Sequence, residues 1–260
     1  HWGAWIYTGV GLGVALSGTL AWLGGGQSAQ WLWFELGSAA AATAVAVGLG
    51  LRHSRPAALP VVAASAQPFV VGYCALVLCY GICGFGYIVP ATFLPAMARQ
   101  QVSDPLVFGL AWPLFGLAAT FSVAVTARWL ANWPRRRVWA LAQGIMAAGT
   151  ALPVLTQALW ALALSAVLVG GTFMVVTMAG LQLARELQPA NPTPLLSRMT
   201  ISFAVGQIAG PLVVRLFASI SSDNWTAIAH ANAVATALLA LTAAVLWQGG
   251  RTFQGRGERL

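Results

Sequence analysis

Apolar residues occupy this chain in long blocks, and polar residues are confined mostly to the short gaps between them. A membrane-crossing helix needs about 20 mostly apolar residues. Eight blocks reach that scale: Ala4–Leu23, Trp31–Gly50, Phe69–Leu94, Leu106–Ala127, Val138–Leu155, Leu159–Ala184, Leu195–Ala218 and Trp225–Trp247. They are continuous in Ala, Leu, Val and Gly, whereas membrane barrel strands are roughly 10 residues long and alternate. The pattern predicts an all-α membrane protein of eight transmembrane helices.

The gaps carry the orientation. Arg52 and Arg55 follow the second block, Arg128 and Arg135–Arg137 the fourth, Arg185 the sixth, and Arg251, Arg256 and Arg259 the last. The alternate gaps, Gly24–Gln30, around Gln157 and Ser219–Asn224, hold no arginine, and Arg99 alone breaks the alternation. Arginine-rich loops stay on the cytoplasmic side. Both ends of the chain are therefore expected in the cytoplasm, in a multi-pass protein of a bacterial inner membrane.

Composition agrees with this and removes the main competitor. Hydrophobic residues make up 59% of the chain and charged residues 7%, with a mean hydropathy of +0.78. Soluble domains carry about 25% charged residues, so this surface is made for a lipid bilayer. The net charge of +8 could suggest nucleic acid as a partner. The arginines lie between apolar blocks, where charge sets orientation instead, and no nucleic-acid partner is expected. Cys74, Cys79 and Cys83 share one apolar block without His or acidic neighbours. That spacing fits neither a zinc site nor a disulfide framework; they read as small packing residues, and no metal or cofactor is expected. The chain starts at His1, without the basic leader and cleavage site of a signal peptide, so further residues are expected upstream.

One polar-interrupted stretch occurs twice. "SFAVGQIAGPLVVRLF" from Ser202 holds Gly206, Gly210 and Pro211, and "GVGLGVALSGTL" from Gly9 repeats the spacing with Gly9 and Gly13. Gly-x-x-x-Gly alone marks a close-packing helix face. Its recurrence in the first and seventh blocks suggests an internal repeat of six-helix units, with four helices preceding this chain. Such repeats characterise one large class of transporters. The expected division is residues 1–51 as the last two helices of an N-terminal bundle and 52–67 as a cytoplasmic linker containing "AALPVVAASAQ". Residues 68–248 then form a six-helix C-terminal bundle and 249–260 a cytoplasmic tail.

The same stretches resemble a known superfamily. "GVALSG" at Gly13–Gly18 is similar to the glycine-rich fifth-helix motif of drug/proton antiporters, with Val14 and Ser17 replacing a proline and a glycine. "ARWLANWPRRR" at Ala127–Arg137 resembles the basic loop between helices eight and nine of major facilitator superfamily (MFS) transporters, with Arg128, Arg135 and Arg136 as its basic part and no aspartate. "GFGYIVPATFLPAMAR" at Gly84–Arg99 looks like the seventh helix of the YbfB/YjiJ group, sometimes described as sugar-transporter-like. The resemblance implies helices 5–12 of a twelve-helix fold, transport of a small solute, and a site near mid-membrane between two bundles that rock around it.

Intramembrane polar groups are the candidates for mechanism, because a charge at that depth costs roughly 2.5–3.5 kcal/mol. Glu35 lies one turn inside the second block. A carboxyl withdrawn from water is easier to protonate, which would suit H+ coupling; alternatively Glu35 reaches the interface. His230 could relay protons or simply hydrogen-bond within its helix. Arg215 could snorkel or hold an anion. Tyr80, Tyr87, Gln143, Gln182, Gln207 and Asn232 are candidates for a substrate cavity or for helix-packing contacts, with Gln207 the best placed. Gly13, Gly18, Gly206, Gly210 and Pro211 are candidate gate and hinge positions, as are Pro90, Pro95 and Pro113.

The function these features favour is a secondary active transporter, proton-coupled, for the efflux or uptake of a sugar-like or amphipathic solute. An enzyme would need a catalytic cluster, and the five acids are spread singly. A passive channel would need a filter loop or charged rings. No Gly-x-x-x-x-Gly-Lys-Ser/Thr run is present to bind nucleotide.

Overall fold

A computed structural model describes residues 2–52 and 73–249. Its helices are α1 (Trp2–Leu23), α2 (Ala29–Leu51), α3 (Cys74–Gln101), α4 (Pro105–Phe108), α5 (Ala111–Trp129), α6 (Arg135–Leu155), α7 (Leu159–Leu187), α8 (Thr193–Ala218) and α9 (Asn224–Gln248). The start of the third block, the proposed linker with Arg55, His1, and the tail arginines Arg251, Arg256 and Arg259 lie outside the described residues.

Seven of these helices are long and apolar enough to cross a membrane. The fourth expected block is the exception. Leu106–Ala127 is not one helix: α4 ends at Phe108 and α5 begins at Ala111. The shortened α5 has only 19 residues and carries Arg128 in its last turn. Its loss from the count follows from the break, which strands the apolar start of the block in α4. Pro113 does not interrupt a span either. It sits in the first turn of α5, where a backbone N–H has no helical partner to lose. The third block errs the other way: α3 runs through Pro95 to Gln101, beyond the expected end at Leu94.

The helices alternate in direction, and their contacts show it. Thr150 on α6 meets Thr236 on α9 at 2.8 Å, and Gln143 meets Thr242 nearer the other end of the same two helices. Rising numbers on one helix thus meet falling numbers on the other, so α6 and α9 are antiparallel. Helices α3 and α8 are parallel, since Gly81, Phe85 and Ile88 follow Ser202, Gly206 and Gly210 in step. One end of the bundle consequently collects Arg128, Arg135, Arg136, Arg137 and Arg185, and the other end is poor in arginine.

Helix α3 is the hub, packing on α8, α9, α7 and α6. Its contact with α8 depends on missing side chains. A Cβ on Gly206 would stand 2.7 Å from the backbone nitrogen of Phe85 and closer still to the Gly81 carbonyl. Only glycine allows two backbones this near. Around this seam the core holds Cys83, Trp139, Met146, Val169, Val176 and Met199, all fully buried. The three cysteines are free thiols; Cys79 and Cys83 are buried.

Helix α1 joins the bundle through α5. Gly11, Ala15 and Gly18 form its buried stripe. A Cβ on Gly18 would lie 2.9 Å from Trp112 and Pro113, and one on Gly116 would lie 2.5 Å from the Cα of Ala15. The repeat pair behaves differently. Nothing lies within 4 Å of a Cβ on Gly9 or Gly13, so the spacing shared with Gly206 and Gly210 does not produce a shared contact. The reason is rotation: Gly9 and Gly11 are two residues apart, roughly 200° around a helix of 3.6 residues per turn. Helix α2 leans on α1, through Leu32 beside Gly24, and buries no residue.

The arginine-poor end contains a pH-sensitive cap. Asp223 precedes α9 and accepts hydrogen bonds from the Thr226 N–H at 2.8 Å and the Thr226 hydroxyl at 2.7 Å. The Thr226 amide, above all, holds this exposed carboxyl below the usual aspartate range. A carboxyl lowered on folding stabilises the helix start above its unfolded value, and that contribution fades as pH falls through the lowered folded value. The protection of the Thr226 amide, its exchange measured against the unfolded chain at the same pH, should therefore fall on acidification in the wild type, whereas Asp223→Ala should show little protection at every pH.

Candidate functional site

The expected site residues separate into three groups in space. Tyr87 and Gln207 come together near the middle of α3 and α8, where the Gln207 side-chain amide donates to the Tyr87 hydroxyl. Both are half-buried. The glycine seam explains the meeting. It draws α8 onto α3 along Gly206 and Gly210, and the residue after Gly206 then projects beside Tyr87, two turns from Tyr80.

Two aromatic rings stack on Tyr87. Its ring stacks on Phe173 of α7 at 5.3 Å and on Phe203 of α8 at 5.5 Å, each within 13° of parallel. Phe173 continues the row to Phe115 of α5 at 5.1 Å, and Phe115 to Trp112 at 5.7 Å. At the other end Phe203 meets Tyr80 at 5.1 Å, and Tyr80 meets Trp139 edge-on at 5.8 Å. The row thus crosses five helices, α6, α3, α8, α7 and α5. Each pair contributes about 0.5–1.5 kcal/mol beyond its buried area. Two rings stack on Tyr87, and the polar chemistry beside them is its hydroxyl and the Gln207 amide. Phe173, Phe203 and Phe115 were not among the sequence candidates. Their positions carry no polar signal, and single Phe residues in apolar blocks look like lipid-facing ones until helices are placed.

Pro211 adds a local effect. It lies within α8 and has no N–H to offer the residue four earlier. That residue is Gln207, whose backbone carbonyl is thereby released beside its own side chain. Pro211 itself is exposed, on a helix whose outer stripe is Ile201, Val205, Ile208, Leu212 and Leu216.

A second group is built into the bundle. Gln143 is fully buried; its oxygen accepts from the Trp139 indole at 2.6 Å and its amide donates to Thr242. Both ends of Gln143 are therefore occupied by α6 and α9. Asn232 is also fully buried, and its amide donates to the Ile228 carbonyl at 3.0 Å, leaving its oxygen without a partner. Tyr80 is buried at 3% exposure between Trp139 and Phe203. Gln182 is half-buried on α7, with its own side-chain oxygen unpartnered. Gln143 thus joins α6 to α9, whereas the amide of Asn232 bonds only within its own helix.

The third group lies apart from both. Glu35 is half-buried on α2, and among the described residues no side chain bonds to its carboxyl. His230 is exposed near the arginine-poor end, with its ring 5.4 Å from that of Phe217. Arg215 is exposed on α8. At the opposite end Arg135 pairs with Glu186 at 3.5 Å, and Arg137 lies 5.8 Å from the Trp247 ring. Arg136 keeps one guanidinium nitrogen buried without a partner, and Arg128 is exposed. Glu186, from the last turn of α7, thus places a carboxylate beside this basic loop.

Among the described residues no group of His, Cys, Asp or Glu is arranged to hold a metal ion. What the arrangement offers is a polar edge in an aromatic wall at mid-helix, reached without any catalytic cluster.

No curated protein and no solved structure matches the chain. A family model does, over residues 1–247, and its description is that of an uncharacterised MFS-type transporter YbfB. The match extends from α1 through nearly all of α9, across the glycine seam, the aromatic row and the basic loop. The chain, built of apolar helices, belongs to the major facilitator superfamily transporters, in the YbfB family.

Proposed function

We propose that this chain carries a small solute across the membrane by alternating access, with the Tyr87–Gln207 edge as the substrate contact. The observation behind it is one hydrogen bond: a polar pair joining α3 to α8 lies at mid-helix, half-buried, in a wall of aromatic rings. A hydroxyl and an amide beside apolar faces suit a solute with both characters, sugar-like or amphipathic. The freed Gln207 carbonyl at Pro211 adds an acceptor and a point of bending.

In this reading α1 and α2 belong to a preceding bundle, and residues 52–67 link it to the bundle α3–α9. The contact between α1 and α5 is then a surface between the bundles. The open Gly9–Gly13 face of α1 gives it room for the kind of neighbour that α3 provides for α8. Alternating access follows if the two bundles rock about the solute. The arginine-rich end faces the cytoplasm of a bacterial inner membrane.

Proton coupling completes the proposal, with Glu35 as the carrier. Its support is position: a carboxyl within a span, half-buried, with no partner among the described residues. An inward proton gains about 2.3 kcal/mol per 100 mV of membrane potential. Reconstituted into proteoliposomes, the protein should take up or expel a sugar-like or amphipathic solute saturably, and faster under an imposed pH gradient. Glu35→Gln should abolish the response to the gradient and leave solute exchange at equal pH intact. Non-saturable flux would sink the transporter mechanism; an unchanged gradient response in the variant would sink only the proton role.

A further inference from the structure

Arg99 is the arginine that breaks the charge alternation, and the mid-helix site leaves it unexplained. The structure puts it at the arginine-poor end, in the last turn of α3, with its guanidinium 4.6 Å from the centre of the Phe108 ring. Among the described residues no hydrogen bond or ion pair engages it, and it is exposed. Phe108 is also a wall of a cavity of about 260 Å³, walled by apolar side chains from α3, α4, α5 and α7, among them Leu94, Leu114, Leu162 and Trp160. This is just under the ~300–1,000 Å³ of ordinary small-molecule sites. It suits an apolar chain rather than a bulky solute.

We propose that this cavity binds the hydrocarbon chain of a single-chain amphipathic anion, a long-chain carboxylate, whose head is held by Arg99. The two halves of such a ligand match the two halves of the site. The lining offers no charge to the chain, and burying methylenes there gains the usual transfer free energy. Contact with an aromatic face uses the cation's charge and none of its acceptor-seeking N–H groups. Arg99 therefore keeps its donor fork for a carboxylate, the geometry in which arginine binds most strongly. Placing an arginine at this end runs against the positive-inside bias, and an anion held there accounts for it. Leu94 and Ala111 also wall a small void of about 10 Å³ beside Pro90, Pro95 and Phe115. The cavity is thus neighbour to the end of the aromatic row while remaining separate from Tyr87 and Gln207.

The site is independent of the transport mechanism and is tested by binding alone. The full chain in nanodiscs of zwitterionic lipid is titrated with brominated laurate, a quencher of tryptophan fluorescence, and with brominated dodecanol, its uncharged counterpart. Laurate should quench saturably, and Trp160→Phe should remove part of that quenching, since Trp160 walls the cavity. Arg99→Gln should weaken laurate about tenfold, as expected for loss of a charge-assisted pair, and leave dodecanol unchanged; Arg99→Lys should restore most of the difference. Ala163→Phe, which fills the cavity, should weaken both probes. Equal laurate affinity in wild type and Arg99→Gln would overturn the proposal. So would quenching of Trp160 by brominated phospholipid that laurate cannot displace, because the cavity would then hold bilayer lipid.

Discussion

Gly206→Leu is expected to cost the protein its folded state. The Cβ of any larger residue would meet the Gly81 carbonyl and, at 2.7 Å, the Phe85 nitrogen. These are backbone atoms of the hub helix, so neither can rotate aside as a side chain would. Helices α3 and α8 must separate, and the Tyr87–Gln207 bond and the Phe203 stack go with them. Forcing extra methylenes into a packed core typically costs 1–3 kcal/mol, and about 5–15 kcal/mol is all that holds a domain folded. A branched side chain against rigid backbone exceeds the ordinary case. Size-exclusion profiles in mild detergent should show an aggregated Gly206→Leu protein with no cooperative melt. Gly116→Leu should detach α1 and leave the bundle α3–α9 melting cooperatively, because the atoms nearest a Cβ on Gly116 are backbone atoms of Val14 and Ala15. Gly13→Leu, with open space around it, should stay within about 0.5 kcal/mol of wild type. If all three behave alike, the seams are not where the structure puts them.

Tyr87→Phe is expected to cripple transport while sparing stability. The ring and both its stacks on Phe173 and Phe203 are preserved; only the hydroxyl is lost. Gln207 then has no partner in the protein, and a ligand loses one of two polar contacts. Loss of one hydrogen-bonding partner is worth about 1–3 kcal/mol, which is roughly five- to 150-fold in affinity. The apparent KM of a transported solute should therefore rise about tenfold or more, with the melting temperature shifted by no more than a few degrees. Gln207→Leu should have a similar effect. The double variant should be worse than either single one, since the ligand then loses both polar contacts. Full transport by Tyr87→Phe would remove this edge from the solute's path.

Some of this molecule could be read without coordinates. The helices lie where the apolar blocks do, and their ends agree within a few residues wherever a proline or polar gap closes the block, as at Leu155–Leu159 and Ala218–Asn224. The block Leu106–Ala127 lies where α4 and α5 do, and only its break was missed, because hydropathy does not register a break made by backbone geometry at Gly109 and Leu110. Glycine spacing was a partial guide. It located Gly206 and Gly210, and also Gly18, while missing Gly11 and Gly116. A spacing of four specifies a stripe on a helix but not which stripe a neighbour covers.

The polar candidates show the same division. Gln143, Asn232 and Gln207 are equally unusual in apolar helices, and their cost in lipid marks all three. Only packing assigns Gln143 to Trp139 and Thr242, and Gln207 to Tyr87. The aromatic row was invisible for a simpler reason, since Phe115, Phe173 and Phe203 are brought together from three helices and share no local pattern.

That the chain lives in a membrane, how its helices alternate and which superfamily it resembles were all legible in the order of its residues. Those properties follow from the solvent: a bilayer demands long apolar helices, and charge in the loops sets their direction. The tertiary structure alone decided which faces meet. In lipid the apolar surfaces gain little from meeting one another, so pairing rests on close fit and a few hydrogen bonds. Those are properties of two surfaces together, and no single helix contains them.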